Sequence, residues 1–352
     1  MNKEKINVLI TGGGGPGYPL FYKALRHSRK YDVRIVATEI NRYAGNIYRS
    51  DWVDAAYLTK KNSDPEFIDQ ICGIARREKI DFLYSGIDEE LPVFARNRNM
   101  LDELGCKIVL PSESALNMAF DKWATYNRLE GTVRQPETLR IVPDTQFDAE
   151  SIMQRFKYRA KVKGARTRGN RLNFLAETVD DLNFYTHYLQ RLGADFIVQQ
   201  YISGREFNVS IMADNSGEIL YAICREKLDD EQKRPNTNAG CIIRNPDMEA
   251  AAIDVVKKMK LYPGCSNVEF LLDESGQYYV IDVNGGRQEA QDYNLIHSGI
   301  NIPEMLIDIS RDNTPDMIDN TQIKSGVICI KYLDELIVEM NDIDSYWEES
   351  GP

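Results

Sequence analysis

Toward its C-terminal end the chain reads Ser266-Asn-Val-Glu-Phe-Leu-Leu272, then Asp273-Glu-Ser-Gly276, then, after Gln277, Tyr278-Tyr-Val-Ile-Asp-Val-Asn284. Two alternating segments around a polar turn spell an antiparallel hairpin. With a symmetric turn, Leu272 faces Gln277, Glu269 faces Val280 and Asn267 faces Asp282. Side chains alternate across a strand. Val268, Phe270, Leu272, Tyr279, Ile281 and Val283 therefore share an apolar face, and Asn267, Glu269, Asp282 and Asn284 share the other. Glu269 and Asp282 become diagonal neighbours, about 7–8 Å apart at the backbone. Two carboxylates and an amide oxygen are the hard donors that Mg²⁺ takes, usually shared with substrate phosphates. The same residues also suit the solvent face of an amphipathic hairpin.

A second cluster precedes it. Lys161-Val-Lys163-Gly-Ala-Arg166-Thr-Arg168-Gly-Asn-Arg171 holds five cations in eleven residues of a chain whose formal charge is −11. A cationic, glycine-containing loop after a strand meets phosphate oxygens with backbone amides and with Lys or Arg; a solvated loop is the alternative. Val198-Gln-Gln-Tyr-Ile-Ser-Gly-Arg-Glu206 reads as a strand, a short linker and an acid. Such a linker can offer backbone groups to an adenine edge and Glu206 to a ribose, or simply end a strand at a turn. At the other end, Gly12-x-Gly14-x-x-Gly17 follows a strand and opens a helix, with Glu39 22 residues beyond Gly17. That spacing satisfies the dinucleotide fingerprint of nicotinamide and flavin enzymes. It also suits any tight strand-to-helix turn, where glycine supplies backbone freedom.

Ile6–Ile10, Val33–Ala37, Phe82–Tyr84 and Val109–Leu110 read as strands, alternating with helices after Gly17, over Phe67–Ala75 and over Leu91–Leu104. This predicts a parallel, Rossmann-like α/β block with helices on both faces, ending near residue 112. Ser114–Leu129 reads as one helix containing Asp121-Lys122. From about 155 the texture becomes α+β, with strands at 159–163, 196–200, 207–213, 219–224, 267–272 and 278–283 and helices at 178–192 and 247–260. Residues 311–352 are polar, with one strand-like piece at Val327–Tyr332.

Composition sets bounds. At 43% hydrophobic and 28% charged the chain is globular, and 352 residues imply two or three domains. Lys and Arg number 43 against 54 Asp and Glu, an acidic balance that makes nucleic acid a poor partner. Six scattered cysteines and three distant histidines argue against zinc or a disulfide framework and fit a reducing cytoplasm. The start shows no signal peptide, and no apolar run approaches the roughly 18 residues of a membrane span.

Taken in order, these pieces resemble the ATP-grasp superfamily, most nearly the ligase halves of the large subunit of carbamoyl phosphate synthetase, over residues 6 to 310. Asp64-Pro-Glu-Phe, Ala75–Asp81 and Gly86-Ile-Asp-Glu-Glu-Leu91 look like the preceding domain of that family. Asp121-Lys122 with Gln135-Pro-Glu-Thr138 resembles the entry to its ATP region, and Asn267-Val-Glu-Phe, Asp282-Val-Asn284 and His297-Ser-Gly-Ile-Asn-Ile-Pro303 resemble its metal-binding end. The resemblance implies a preceding domain at 1–112, an ATP-grasp domain at 113–310 (small lid about 130–200, larger part about 201–310) and a C-terminal extension at 311–352 packing on the ATP-grasp domain. It implies Lys122, Lys163 or Lys161, and Arg168 on ATP phosphates. Gln199, Gln200 and Ile202 would meet adenine, the last two through their backbone, and Glu206 the ribose. Glu269, Asp282 and Asn284 would hold Mg²⁺, with Mn²⁺ as a substitute, while Arg225 or Lys227 faces the phosphates or the acyl substrate and Arg287 the acyl phosphate. The implied reaction joins a small-molecule carboxylate to an amine through an acyl phosphate, with release of ADP and phosphate, in a cytoplasmic enzyme with a homodimer as the default assembly. The sequence departs from the pattern at Gln199, where an acid is usual, and at Asp282, where Glu is usual. Gly285-Gly286 push Arg287 one position on, and the loop after Lys163 is short and lacks the usual proline. An NAD(P)- or flavin-dependent oxidoreductase and a non-catalytic ATP-binding protein are the competing readings.

Overall fold

The structure, a computed structural model, describes residues 3–141, 147–167, 171–228, 239–289, 292–332 and 334–349. In the N-terminal block, β1 (Glu4–Thr11), α1 (Pro19–Arg26), β2 (Tyr31–Glu39), β3 (Ala55–Leu58), α2 (Phe67–Glu78) and β4 (Phe82–Ser85) alternate. The sheet is parallel throughout, in the order β3-β2-β1-β4. Leu9, Val36 and Leu83 pack on one side with α2, α3 (Leu91–Arg96) and α4 (Arg98–Glu103). Val8, Ile10 and Ile35 pack on the other with Phe21 and Leu25 of α1. Burial on both faces is why these strands read as unbroken apolar runs.

Three local expectations need correction. Ala55–Leu58 is an additional strand, too short and too plain in composition to stand out. Val109–Leu110 forms no strand; the nearby pairing is a single bridge from Lys107 to Phe82. The long helices expected at 91–104 and 114–129 are each broken, the first at Asn97 and the second at Asp121, between α5 (Glu113–Phe120) and α6 (Lys122–Leu129). Asp121 is extended and its carboxylate accepts from the amides of Trp123 and Ala124, each at 3.0 Å, so it starts a new helix with Lys122 in the first position.

The glycine turn is closed by its own residues. The Gly14 amide donates to Glu39 Oε2 at 3.0 Å, and Glu39 Oε1 accepts from the Ile40 amide at 2.8 Å. A Cβ on Gly14 would lie 2.1 Å from that of Ala44, and one on Gly12 (φ 59°) 2.2 Å from Ile87 Cδ1. The acid that the dinucleotide fingerprint assigns to a ribose thus holds its own loop, which corrects that reading in favour of the tight turn.

Beneath this turn Glu90 is 6% exposed, and its Oε2 accepts from the hydroxyls of Thr11 and Ser85. Burial pushes its carboxyl up to about 7. A raised folded-state value means that the native protein holds a proton that the unfolded chain releases near 4.5. This contribution is full below the unfolded value and is lost as pH rises through about 7. Between pH 5 and 8, Glu90→Gln should flatten the stability profile by about 2–3 kcal/mol, measured as urea midpoints; an unchanged slope would remove Glu90 as its source.

The following region holds two sheets. β5 (Thr138–Ile141), β6 (Ala160–Gly164), β7 (Asn173–Ala176) and β8 (Phe196–Gln200) form an antiparallel sheet in the order β5-β8-β6-β7. It is covered by α7 (Ala149–Arg155) and α8 (Val179–Arg191), whose Thr178–Asp181 capping box fixes its start. β9 (Arg205–Ala213), β10 (Ile219–Lys227), β11 (Ala239–Ile242), β12 (Gly264–Leu272), β13 (Tyr278–Gly285) and β14 (Ile328–Ile330) form a six-stranded antiparallel sheet in the order β13-β12-β9-β10-β11-β14. One face buries Phe207, Val209, Ile211, Val268, Phe270, Val280 and Val283 against α9 (Pro246–Met259) and α5. The chain ends with α10 (Tyr293–His297), α11 (Ile302–Ser310) and α12 (Met340–Glu349). The Trp347 indole N–H donates to the Tyr48 hydroxyl at 2.9 Å, so α12 docks on the N-terminal block. Among the described residues no helix is long and apolar enough to cross a membrane.

Candidate active site

The open face of the six-stranded sheet carries the polar row. Its hairpin differs from the expected register in an instructive way. Asp273 tightens the turn: its Oδ1 accepts from the amides of Ser275 and Gln277, both at 2.9 Å, and Leu272 pairs with Tyr278 rather than Gln277. Continued unchanged, that register would set Glu269 opposite Ile281 and turn Asp282 and Asn284 toward the core. A bulge at Ile281 prevents this, leaving Phe270 opposite Val280 but Glu269 opposite Asp282 and Asn267 opposite Asn284. One extra residue flips every following side chain. Glu269 and Asp282 are thus directly opposed, not diagonal, and the apolar face carries Tyr278 and Val280 in place of Tyr279 and Ile281.

The neighbouring strands extend the row. Arg225 pairs with Asn208, Asn208 with Glu269, and Glu269 with Asp282, so four polar side chains line one path across β10, β9, β12 and β13. Lys227 Nζ lies 2.9 Å from Glu269 and 3.4 Å from Glu206. Burial raises the Glu269 carboxyl, Lys227 pulls it down and Asp282 pushes it up again, with the rise prevailing. Asn284 is 5% exposed, and its Oδ1 has no partner among the described residues. A buried, unmatched acceptor beside two crowded carboxylates is the donor set a hard cation satisfies. Among the described residues no three His, Cys, Asp or Glu side chains make a metal site alone. Two acids and one amide suit an ion that completes its shell with phosphate oxygens.

The four-stranded sheet faces this row. Lys163 Nζ donates to Gln199 Oε1 at 2.8 Å, and Gln199 Nε2 donates to Thr138 Oγ1 at 2.9 Å. Burial pulls the Lys163 ammonium below its ordinary value; Asp282, Glu269 and Glu206 oppose and Lys122 reinforces that fall. Lys163 and the hairpin acids therefore share one cleft. Lys161 instead lies 5.8 Å from the Tyr201 ring centre. Lys122 Nζ donates to the Thr167 carbonyl at 2.6 Å, at the start of the basic loop. Arg168 lies outside the described residues. The Gln200 amide already donates to the Glu137 carbonyl at 2.8 Å, which leaves its carbonyl as the group for an adenine edge. Among the described residues, Ile202 makes no backbone hydrogen bond.

Two cations depart from their expected roles. Arg225 is 1% exposed and pairs with Asp292 at 2.9 Å, so it forms the floor of the site rather than an arm reaching phosphates. Arg287 is clamped: Nε donates to Asp88 Oδ1 at 2.6 Å, Nη2 to Oδ2 at 3.1 Å and Nη1 to the Gln288 carbonyl at 3.3 Å. Its fork is filled by an N-terminal-block carboxylate, which holds the loop after β4 against the hairpin. Asp88, Asn208, Ser210, Glu289 and Asp292 were all missed from sequence. Asp88 sits within Gly86–Leu91, but nothing local marks a residue that answers an arginine 199 positions away.

The fold and this site define an ATP-grasp protein. Residues 119–288 match the ATP-grasp domain family and residues 8–109 the PylC-like N-terminal domain family; the chain belongs to the ATP-grasp superfamily, whose members use ATP with Mg²⁺. It is 23% identical over 312 residues to the mitochondrial pyruvate carboxylase of Mus musculus, covering 80% of this chain but 26% of that protein. This chain thus spans about a quarter of the length of the pyruvate carboxylases it matches. Among solved structures, biotin carboxylase from Campylobacter jejuni superposes with a TM-score of 0.71 at 18% identity, over 90% of this chain and 73% of that one. L-amino acid ligase from Bacillus licheniformis gives 0.67 at 14% identity, over 88% and 75%.

Proposed function

We propose that this protein is an ATP-dependent ligase that activates a carboxylate as an acyl phosphate and joins it to an amine, releasing ADP and phosphate. The observation that carries the reading is the meeting of Glu269, Asp282 and Asn284 with Lys163 across one cleft. In this reading Lys122 and Lys163 grip the phosphates with Arg168 of the adjoining loop, Lys161 stands aside, and the Gln200 carbonyl and Ile202 amide meet adenine beside Gln199. Glu206 binds ribose. Glu269, Asp282 and Asn284 would hold Mg²⁺, which would supply charge neutralisation at the transferred phosphoryl group. A substrate carboxylate oxygen attacks the γ-phosphorus as the bond to the ADP oxygen breaks; the amine then attacks the acyl carbon and phosphate leaves. The protein's share is positioning and fixed charge. Lys227, bridging Glu206 and Glu269, sets the electrostatics between ribose and metal. Arg287, already forked to Asp88, keeps the two blocks in register.

Biotin carboxylase, solved with an ATP ligand, and L-amino acid ligase share this fold, which supports the reading. The test is a pair of measurements. Mg·ATP should raise the melting temperature by several degrees while NAD(P)⁺ and FAD leave it unchanged, and a screen of acids paired with amines should find ADP release that needs both. Protection by NAD(P)⁺ would restore the oxidoreductase reading. Protection by Mg·ATP without ADP release in any mixture would make the protein a nucleotide sensor.

A further inference from the structure

The C-terminal extension returns to the site. Across β11 and β14, Ile330 sits opposite Ala239, Cys329 opposite Gly240 and Ile328 opposite Cys241. Across β10 and β11, Lys227 sits opposite Gly240 and Arg225 opposite Ile242. Partners in a ladder point to one side, and neighbours along a strand alternate. Cys329 therefore shares the face of Lys227, and Lys331, two residues on, continues it. Ile328 and Ile330 take the outer face, where they are 51% and 67% exposed.

The surroundings of Lys331 agree with this register. Burial lowers its ammonium from the ordinary lysine value, and the charges it feels include Glu289, Arg225 and Asp292. Among the described residues its Nζ makes no hydrogen bond or ion pair. Behind it, Arg225 gives Nη2 to Asn208 and Asp292, while its buried Nε and Nη1 have no partner among the described residues. The other cations of the corner are matched: Arg287 by Asp88 and Lys227 by Glu269. Glu289 is opposed in ionising by burial, yet Arg287, Arg225, Lys227 and Lys331 together hold its carboxyl below the usual range. Among these four cations Lys331 is the one that no carboxylate meets at hydrogen-bond or ion-pair distance among the described residues, Glu289 reaching it only as a longer-range charge. The ATP phosphates already have Lys122 and Lys163 on the opposite sheet. A half-buried ammonium with no hydrogen-bonded acceptor gains from an anion that completes it.

We propose that Lys331, delivered by β14, binds the carboxylate of the acid substrate, with Arg225 behind it supplying further positive field. The C-terminal extension is then part of the substrate site rather than a trailing segment. This inference rests on the ligase reading for its substrate, and the experiments separate the two.

The proteinogenic L-amino acids, succinate and glutarate would be screened as acids for ADP release, with Lys331→Met and Lys331→Arg beside the parent. In parallel, acetic anhydride labelling of Lys331 would be mapped by mass spectrometry with Mg·ATP, with and without each acid. The expected result is that Lys331→Met raises KM for the acid about tenfold or more and leaves KM for ATP unchanged. Lys331→Arg should keep most of the affinity, and the active acid should shield Lys331 from acetylation. ADP release with an unchanged acid KM in Lys331→Met and no shielding would overturn the inference and leave the ligase standing. Shielding by an acid that drives no ADP release would keep the anion site and remove the ligase. No shielding and no ADP release with any acid would remove both.

Discussion

Replacing Asp282 or Asn284 by alanine should leave the protein folded and lower ADP release by at least about 100-fold. Both side chains stand on the open face of β13, opposite Glu269 and Asn267, while the core face of the hairpin is carried by Val268, Phe270, Val280 and Val283. Neither substitution removes core volume. Asn284→Ala deletes an oxygen that is buried and has no partner among the described residues, so its folding cost should be small, within about 1 kcal/mol. The whole loss should therefore appear in turnover and in the Mg²⁺ dependence of ATP binding. Asp282→Glu keeps the charge with one more methylene and should retain measurable activity. Deleting Ile281 is the sharper control. Its loss removes the surplus residue but leaves Val280 and Val283 facing the core and sets Asp282 opposite Glu269 and Asn284 opposite Asn267 in an unbroken ladder, so the donor set and a substantial part of turnover should survive. ADP release assayed against Mg²⁺ concentration, with melting curves alongside, decides the matter; rates near the parent in both alanine variants would sink the metal assignment.

The polar face of this hairpin could be read from sequence because strand alternation is a strict rule, whereas its register could not. A bulge has no compositional mark: Ile281 is an ordinary strand residue, and only the ladder shows that it is surplus. The alternating βα order of the first block was legible for the same reason that its strands are apolar throughout, namely burial on both faces. Its glycine turn misled because spacing alone cannot say which group an acid serves; Glu39 stands where the fingerprint wants it and bonds to Gly14. Choosing between Lys161 and Lys163 was beyond alternation, since both point the same way from β6. Gln199 and the hairpin acids separate them in space. The least legible residues were the partners across long separations. Asp88 for Arg287, Asp292 for Arg225 and Lys331 beside Glu289 come from different elements, and each is an ordinary charged residue until the fold sets it against another charge.

Arg225→Met should be the most destabilising single change at the site, by about 3–5 kcal/mol. The Arg225 and Asp292 side chains are 2% and 0% exposed and meet at 2.9 Å. Asp292 is fastened further by the Ser210 hydroxyl at 2.8 Å and the Glu289 amide at 3.0 Å. Removing the guanidinium leaves that carboxylate in a dry site without its counter-charge, and the hydrogen bonds that remain cannot replace it. Asp292→Asn should cost nearly as much, since it strands the arginine, whose Nε and Nη1 already lack partners among the described residues. The pair itself is a poor net stabiliser, because desolvating both ions offsets most of their attraction. Arg225→Met combined with Asp292→Leu should therefore recover a large part of either single loss, with a coupling of about 2 kcal/mol or more. Urea midpoints of the four proteins of this cycle test the claim. Catalysis should not recover with stability: the double variant removes the charge that sits next to Asn208 and Glu269 in the row, so a refolded but inactive enzyme is the expected result. Additive destabilisation in the double variant would show that the two side chains are not a pair. Restored ADP release would show that Arg225 serves the fold alone.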